Sequence, residues 1–545
     1  MPPRKLDASI AGQSPIVEET IAEPQRIRAT MLYLASQQPS VRLRAGGRVI
    51  PGRLGENGEI LDGWNQPAPR DPPFELEIDG VHAFYLARWT SASPSDDLPD
   101  CMVRFRSRRE RRVPAPSRLV ANVKLAGKSH ECRLVNVSMH GMAFDLDSGP
   151  VPGAGEHLDT IGVHWKGGTP LEVTGRVAGI ANHGNGRTRL GIALEDGAGS
   201  TRWRGALSGL LYPKTTVASA TPEALWELYE RSGYFGLSGK TPADFRPLRS
   251  AFADAQRRLA AAPDIGAMFC WSSPVRLEGA FLHLEVWDRS WLAYQLARRH
   301  DDRPLEAADD AGLHDLYRHC YEYVHHGTSA RWIVCYIQDS ARFTKRVNLE
   351  LAARHSASGE ACVVPFRAIE LDTDGNGTPP SVREARTDDI AALREVLARR
   401  RPAAYLGATG LDREGLDLGP VVHRWAEAGF ARSRRVLIAE AGGTSAAAIL
   451  ETADDGLHLF GLLDMVRLVP LRPGCAALYP ALIEAARHHY RSLGKARFVY
   501  FQEDEGDAGA IGGRDLGGAS YVILSANLVP ELLEHLEIVT YHPAA

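Results

Sequence analysis

A multidomain chain of β and α/β modules in series is the fold class this sequence predicts. It reads as a small N-terminal β module, a six-stranded β-barrel with a helix at its C-terminal end, then one or two α/β domains. Three observations predict it. The chain has 545 residues, too many for one ordinary domain, and its composition (44% hydrophobic, 24% charged, 8% aromatic) supplies several apolar cores. Between residues 26 and 195, apolar residues recur with period two in short runs separated by turn residues. Beyond residue 215 helical and strand-like stretches alternate instead.

Residues 1–25 show neither period and read as a flexible tail. Residues 26–100 form the β module: Ile27, Met31 and Leu34 open it at helical spacing, and "PFELEIDGVHAFYLARW" continues with period-two alternation. The turn-rich "SASPSDDLPD" ends it. Residues 101–214 hold the barrel, with strands in "RLVANVKLAG", "HECRLVNVS", "GMAFDLD", "IGVHW", "LEVTGRVAGIA" and "RTRLGIALE". The breaks "AGKS" and "NHGNGR" carry hairpin residues, and "TRWRGALSGLLYP" is an amphipathic helix ended by Pro213. Residues 215–371 are mixed α/β, beginning with a helix that Thr221 caps. Residues 372–380, "DTDGNGTPP", read as a linker, and residues 381–545 as a further α/β domain. In this last part a helix starts at Thr387-Asp388, "RRVLIAEAGGTSAAAILETA" is a hairpin, and a helix stops at Gly494.

One stretch concentrates charge. "RFRSRRERRVP" (Arg104 to Pro114) places six arginines in its first nine residues. A formal net charge of −4 makes this a local feature and argues against a surface built as a whole for nucleic acid. Within the run Arg108 and Arg112 stand four apart, and "NVSMHG" (Asn136 to Gly141) begins 24 residues after Arg112 at the end of a strand. Guanidinium forks suit phosphate oxygens and the O6/N7 edge of guanine. An Asn amide and a Ser hydroxyl can meet the ring's other edge, and a glycine admits a flat ligand close to the backbone. A ligand with guanine faces and phosphates would use all of these groups. The competing readings are a solvated basic linker and a nucleic-acid grip; no aromatic-rich sheet face or basic helix accompanies the run to favour the latter.

This combination, RxxxR followed by [DN]xSxxG at the head of a six-stranded barrel and closed by "RLGIAL", resembles the PilZ domain, whose members bind cyclic di-GMP. The resemblance covers about residues 104–213. It implies that Arg108 and Arg112 clamp guanine and phosphate, that Asn136 and Ser138 read a guanine edge, and that Gly141 allows close approach. Arg104, Arg109 and Arg111 have no role fixed by the resemblance; one of them is expected to stack on a base, and Arg109 is counted with the ligand-binding residues. The β module ahead of it is similar in position and pattern to the YcgR-type N-terminal domain, which accompanies PilZ in flagellar-brake and related motility regulators. Ligand binding at a site shared by linker and barrel would then order the linker and reorient the two modules.

In the C-terminal half, "SVREARTDDIAALREVL" and "VLIAEAGGTSAAAILE" resemble the opening of GNAT-type acyltransferases, and residues 215–371 read as a second, more divergent copy. That family holds an acyl-CoA pyrophosphate on a [QR]xxGx[GA] loop and helix N-terminus. Here Gly474 and Ala476 fill the small positions, but Leu471 stands where Gln or Arg is expected and Pro473 removes a backbone donor. The loop therefore weighs against catalysis and leaves acyl-CoA binding doubtful. The seven cysteines are scattered without a CxxC pair, so no metal site is expected. Without an apolar leader or an eighteen-residue apolar run, the chain reads as cytoplasmic and without membrane insertion. The whole reads as a bacterial cyclic di-GMP receptor that signals to a protein partner through its C-terminal half, without touching nucleic acid directly. The alternative is an acyl-CoA-dependent N-acyltransferase regulated by cyclic di-GMP.

Overall fold

The computed structural model describes residues 16–36, 40–45, 48–55, 60–62, 74–79, 84–89, 98–106, 113–116, 119–147, 149–165, 171–183, 187–195, 197–212, 214–217, 220–299, 307–374, 382–503 and 511–541. The chain divides into two compact units, one of Met1–Leu211 with Leu533–Ala545, the other of Tyr212–Leu532. No described helix is long and apolar enough to cross a membrane.

The first unit contains two sheets. The N-terminal sheet has β1 (Ile16–Ile21), β2 (Ser40–Ala45), β3 (Arg48–Leu54), β4 (Ile60–Asp62), β5 (Phe74–Asp79), β6 (Phe84–Trp89) and β7 (Cys101–Arg106), in the order β1-β7-β6-β5-β2-β3-β4. Helix α1 (Pro24–Ser36) buries Ile27, Met31 and Leu34 among Val41, Leu43, Leu76, Ile78 and Tyr85, as their helical spacing requires. Two boundaries of this sheet differ from those expected. The 1–25 tail contains β1, whose alternation is hidden by a register shift between Val17 and Glu19. Cys101–Arg106, placed with the barrel by sequence, pairs with β1 and β6 and is a strand of the N-terminal sheet.

The second sheet comprises β8 (Val113–Pro114), β9 (Leu119–Leu125), β10 (Lys128–Ser138), β11 (Gly141–Leu146), β12 (His157–Trp165), β13 (Leu171–His183) and β14 (Arg187–Leu194). Order β11-β14-β13-β12-β9-β10, with β10 also pairing β11, closes a six-stranded antiparallel barrel, and β8 adds beside β10. Ala126 and Gly127 both have positive φ (48° and 80°), so the β9–β10 turn has the twist that hairpins prefer. Helix α2 (Ala198–Leu211) follows the barrel.

A single twelve-stranded sheet organises the second unit. Its first half has β15 (Thr215–Val217), β16 (Gly266–Ser272), β17 (Leu277–Trp287), β18 (Ser290–Arg298), β19 (Trp332–Gln338) and β20 (Ala361–Asp372). Helices α3 (Pro222–Arg231), α4 (Pro242–Phe245), α5 (Arg249–Ala260), α6 (Ala307–Gly327) and α7 (Arg342–His355) accompany them. The second half has β21 (Val382–Glu384), β22 (Arg432–Ala441), β23 (Thr444–Ala453), β24 (Met465–Pro470), β25 (Arg497–Gln502) and β26 (Arg514–Ser525). With them run α8 (Thr387–Arg400), α9 (Ala403–Thr409), α10 (Val421–Glu427), α11 (Tyr479–Ser492) and α12 (Val529–Tyr541). Thr221 caps α3 by accepting from the Ala224 amide at 3.2 Å.

The two halves repeat one plan. Four antiparallel strands, β15 to β18 and β21 to β24, are followed by a single parallel pair, β18 with β19 and β24 with β25, each joined through a helix (α6, α11). The halves also exchange strands: in the order β18-β19-β26-β20-β25-β24, the last strand of each lies beside the other's parallel pair. Residues 215–371 and 381–545 therefore contribute to one sheet. Part of the expected 372–380 linker (375–380) lies outside the described residues. Residues from Leu533 onward, expected in the last α/β domain, belong to the first unit.

Candidate functional site

The "NVSMHG" segment is a hairpin, and its spacing has a mechanical reason. Asn136 and Ser138 are two apart on β10 and share a face; Ser138 pairs with Gly141, so only Met139 and His140 turn between β10 and β11. Which face they share is set by a bulge. Before it Cys132 and Leu134 point inward, and Leu134 sits opposite the buried Phe144. The register shifts between Leu134 and Asn136, so Val137, opposite Met142, becomes the inward residue. Asn136 and Ser138 are thereby moved to the outer face; unshifted, they would have continued the inward row.

The outer face beside Asn136 is built from small residues. In register across neighbouring strands lie Asn136, Ala143, Gly191 and Gly179. A Cβ added to Gly191 would meet nothing nearer than Gly179 backbone at 3.8 Å, and one added to Gly179 would meet nothing within 4 Å. The strip is a flat floor open to a planar group. The Asn136 side-chain oxygen at its edge is buried and accepts no hydrogen bond among the described residues, so it is an acceptor poised for an outside donor. Ser138 is held from both ends: its hydroxyl donates to the Gly141 carbonyl at 3.4 Å, and its own carbonyl accepts from the Trp203 indole of α2 at 3.0 Å.

Gly141 has a structural reason of its own besides the one its motif suggests. A Cβ there would lie 2.8 Å from the Ile192 carbonyl oxygen of β14 and 3.4 Å from the Ser138 hydroxyl. The glycine is required by the approach of β11 to β14 within the barrel, whatever binds outside. Arg108, Arg109 and Arg112 lie outside the described residues. Their flanks are fixed: β7 ends at Arg106, and Val113, which follows Arg112, pairs with Val137 between Asn136 and Ser138. Sequence reading missed Ala143, Gly191, Gly179 and Trp203. Glycine inside a strand, as in "RLGIAL", was the available signal for Gly191 and Gly179.

In the second unit the parallel strands β24 and β25 pair only at Met465–Val499 and Val466–Tyr500 before separating. Arg401, Tyr405, Arg467, Phe501 and Glu503 line the small pocket beyond the split. Glu503 is engaged there on both oxygens: Tyr405 donates at 2.6 Å, Arg401 at 3.1 Å, and Arg467 lies at 3.3 Å. Behind it Glu451, fully buried, accepts from Arg434 at 2.7 Å, Arg467 at 3.1 Å, Trp287 at 3.0 Å and also Arg432. Burial would raise its carboxyl, but the three guanidiniums outweigh this and hold it well below the usual range.

The loop after β24 is poorly suited to phosphate. Gly474 (φ 75°) precedes the short 3-10 turn Cys475–Leu478 that contains Ala476. The Leu471 and Arg472 amides both donate to the Ser445 carbonyl, at 3.1 and 3.2 Å, and Pro473 has no N–H to give. Three of the loop's backbone donors are thus spent or missing. Among the described residues no cluster of His, Cys, Asp and Glu could hold a metal ion.

Residues 106–207 match the PilZ domain family. No curated protein matches the chain. Among solved structures, MrkH of K. pneumonia in complex with c-di-GMP is similar over 35% of this chain and 96% of its own, at 10% identity and a TM-score of 0.29. YcgR from Escherichia coli in complex with c-di-GMP is similar over 35% and 92%, at 15% identity and a TM-score of 0.26. A tandem GNAT protein from the clavulanic acid biosynthesis pathway, without AcCoA, covers 57% of this chain and 98% of its own, at 13% identity and a TM-score of 0.29. Likenesses at this level do not say what the present chain binds.

Proposed function

With a PilZ domain spanning residues 106–207 as the premise, we propose that the chain is a cyclic di-GMP receptor. The dinucleotide binds on the outer face of the barrel, between the linker arginines and the β10–β11 hairpin. Arg108 and Arg112 supply forked donors to guanine and phosphate, with Arg109 stacking on a base. Asn136 and Ser138 meet a guanine edge, and one base lies along the strip from Ala143 to Gly179. The observation that carries this reading is the outward turn of Asn136 and Ser138 at the bulge, next to the strand that begins one residue after Arg112.

The second unit is read as an output module that passes the signal to a protein partner, in a cytoplasmic setting such as motility control. Two features support a non-catalytic reading over an acyl-CoA-dependent transferase. The Glu503 carboxylate has both oxygens engaged, and the Leu471–Ala476 loop lacks free donors at three positions. The deciding experiment is calorimetric titration of cyclic di-GMP into the full chain and into R108A/R112A. Micromolar or tighter binding that the double substitution abolishes is expected. Absence of binding to the unaltered chain, or equal binding by both, overturns the assignment. Stabilisation by acetyl-CoA in a thermal shift would count instead for the transferase.

A further inference from the structure

The first unit is built from both ends of the chain. Residues Leu533–Ala545 belong to it, and they bring the end of α12 onto the N-terminal sheet. Two residues of α12 one turn apart contribute to the attachment. Ile538 packs on the core formed by Ile27, Met31, Leu76 and Tyr85, and the Glu534 carboxylate receives the Tyr85 hydroxyl and the Arg104 guanidinium. Tyr85 and Arg104 face each other directly across β6 and β7. All three polar groups are buried, at 0%, 6% and 2% exposure for Tyr85, Arg104 and Glu534. Burial and the neighbouring carboxylate keep the Tyr85 hydroxyl protonated and therefore a donor.

Arg104 is also the first arginine of the charged run. It stands four residues before Arg108 on the strand that leads into it, within about 13 Å of extended chain. The same concentration of positive charge thus has an anionic partner inside the molecule, Glu534, and on the receptor reading another from outside. We infer that the C-terminal helix is a strap whose docking on β6 and β7 is coupled negatively to cyclic di-GMP binding. The inference rests on the receptor assignment. Two phosphates arriving beside the run neutralise the charge that favours a buried carboxylate and repel it in turn, and a buried pair is screened little by salt. Once separated from Arg104, Glu534 would be an uncompensated buried charge, so the contact has two states rather than a continuum. Linkage makes the effect reciprocal: whatever loosens the strap strengthens dinucleotide binding by the same factor.

The test uses the full chain. Hydrogen exchange of the 533–541 amides is followed with and without saturating cyclic di-GMP, and Kd is measured for the unaltered protein, Glu534→Gln and Ile538→Ala. Exchange in 533–541 should rise several-fold on adding ligand, and both variants should bind about fivefold or more tightly. Ile538→Ala removes only apolar packing and keeps the comparison available should Glu534→Gln fold poorly. If the unaltered chain binds while its 533–541 exchange stays the same or slows, the strap inference falls and the receptor reading stands. A folded variant that binds with unaltered Kd overturns the strap in the same way. If the unaltered chain does not bind, both fall together.

Discussion

Replacing Gly141 with alanine separates two explanations of one residue. The motif suggests that the glycine admits a ligand; the geometry assigns it to the closing of the barrel. A Cβ at this position would sit 2.8 Å from the Ile192 carbonyl oxygen, well inside van der Waals contact. That oxygen belongs to β14, which pairs with β11 on one side and β13 on the other and so cannot retreat without disturbing two ladders. Overpacking of this kind costs about 1–3 kcal/mol. For a unit of roughly 200 residues, that lowers Tm by about 2–12 °C. The assay is thermal unfolding of the full chain without ligand, followed by cyclic di-GMP titration below the transition. A lower Tm without ligand is the expected result. Unchanged stability with affinity alone lost would refute the barrel-closure argument and return the glycine to the ligand.

Gly191→Val makes the converse case: the new side chain has space on the outer face, so stability should stay within about 1 kcal/mol while cyclic di-GMP affinity falls at least tenfold by calorimetry. Glu451→Gln should destabilise the second unit by about 3–5 kcal/mol in denaturant melts while leaving dinucleotide affinity unchanged, because three buried guanidiniums lose their shared anion. A loss under about 1 kcal/mol would contradict the role given to that carboxylate. Acid should weaken the same unit through histidines. Burial pushes His283 and His458 down to about 3, the latter also under the Lys240 charge, and pushes His319 down to about 4. Each stays neutral when folded and binds a proton near pH 6.5 when unfolded, so stability is fully present above that pH and declines below it. From pH 7 to 5.5 each loses about 1.2 kcal/mol, roughly 3–4 kcal/mol in all, read as falling stability across a pH series of melts. A flat profile over that range would mean these rings are not held neutral.

What the sequence made legible follows from how local each signal is. The barrel strands could be read because inward residues alternate, and the β9–β10 and β22–β23 hairpins because Ala126-Gly127 and Gly442-Gly443 adopt backbone angles that hairpins demand. Ile27, Met31 and Leu34 gave away α1 for the same reason. β1 was lost because a register shift breaks its alternation within six residues. The exchange of β20 and β26 was lost because a strand's own pattern records that it is buried, without recording which strand lies beside it.

The candidate site shows the same limit at higher resolution. Its residue types were legible, since Asn, Ser and Gly at that spacing can only flank a tight turn if the segment is a strand. Their direction was not, because it depends on one extra residue near Val135 that changes the phase of the pleat. A straight strand would have turned Asn136 and Ser138 into the barrel, where two polar groups would need internal partners. The bulge gives them to the outer face instead, beside a strip of small residues whose glycines the sequence shows but whose alignment across four strands it does not. A binding surface assembled this way is a property of register. The residues that make it flat are therefore as much a part of the site as those that would donate or accept to a ligand.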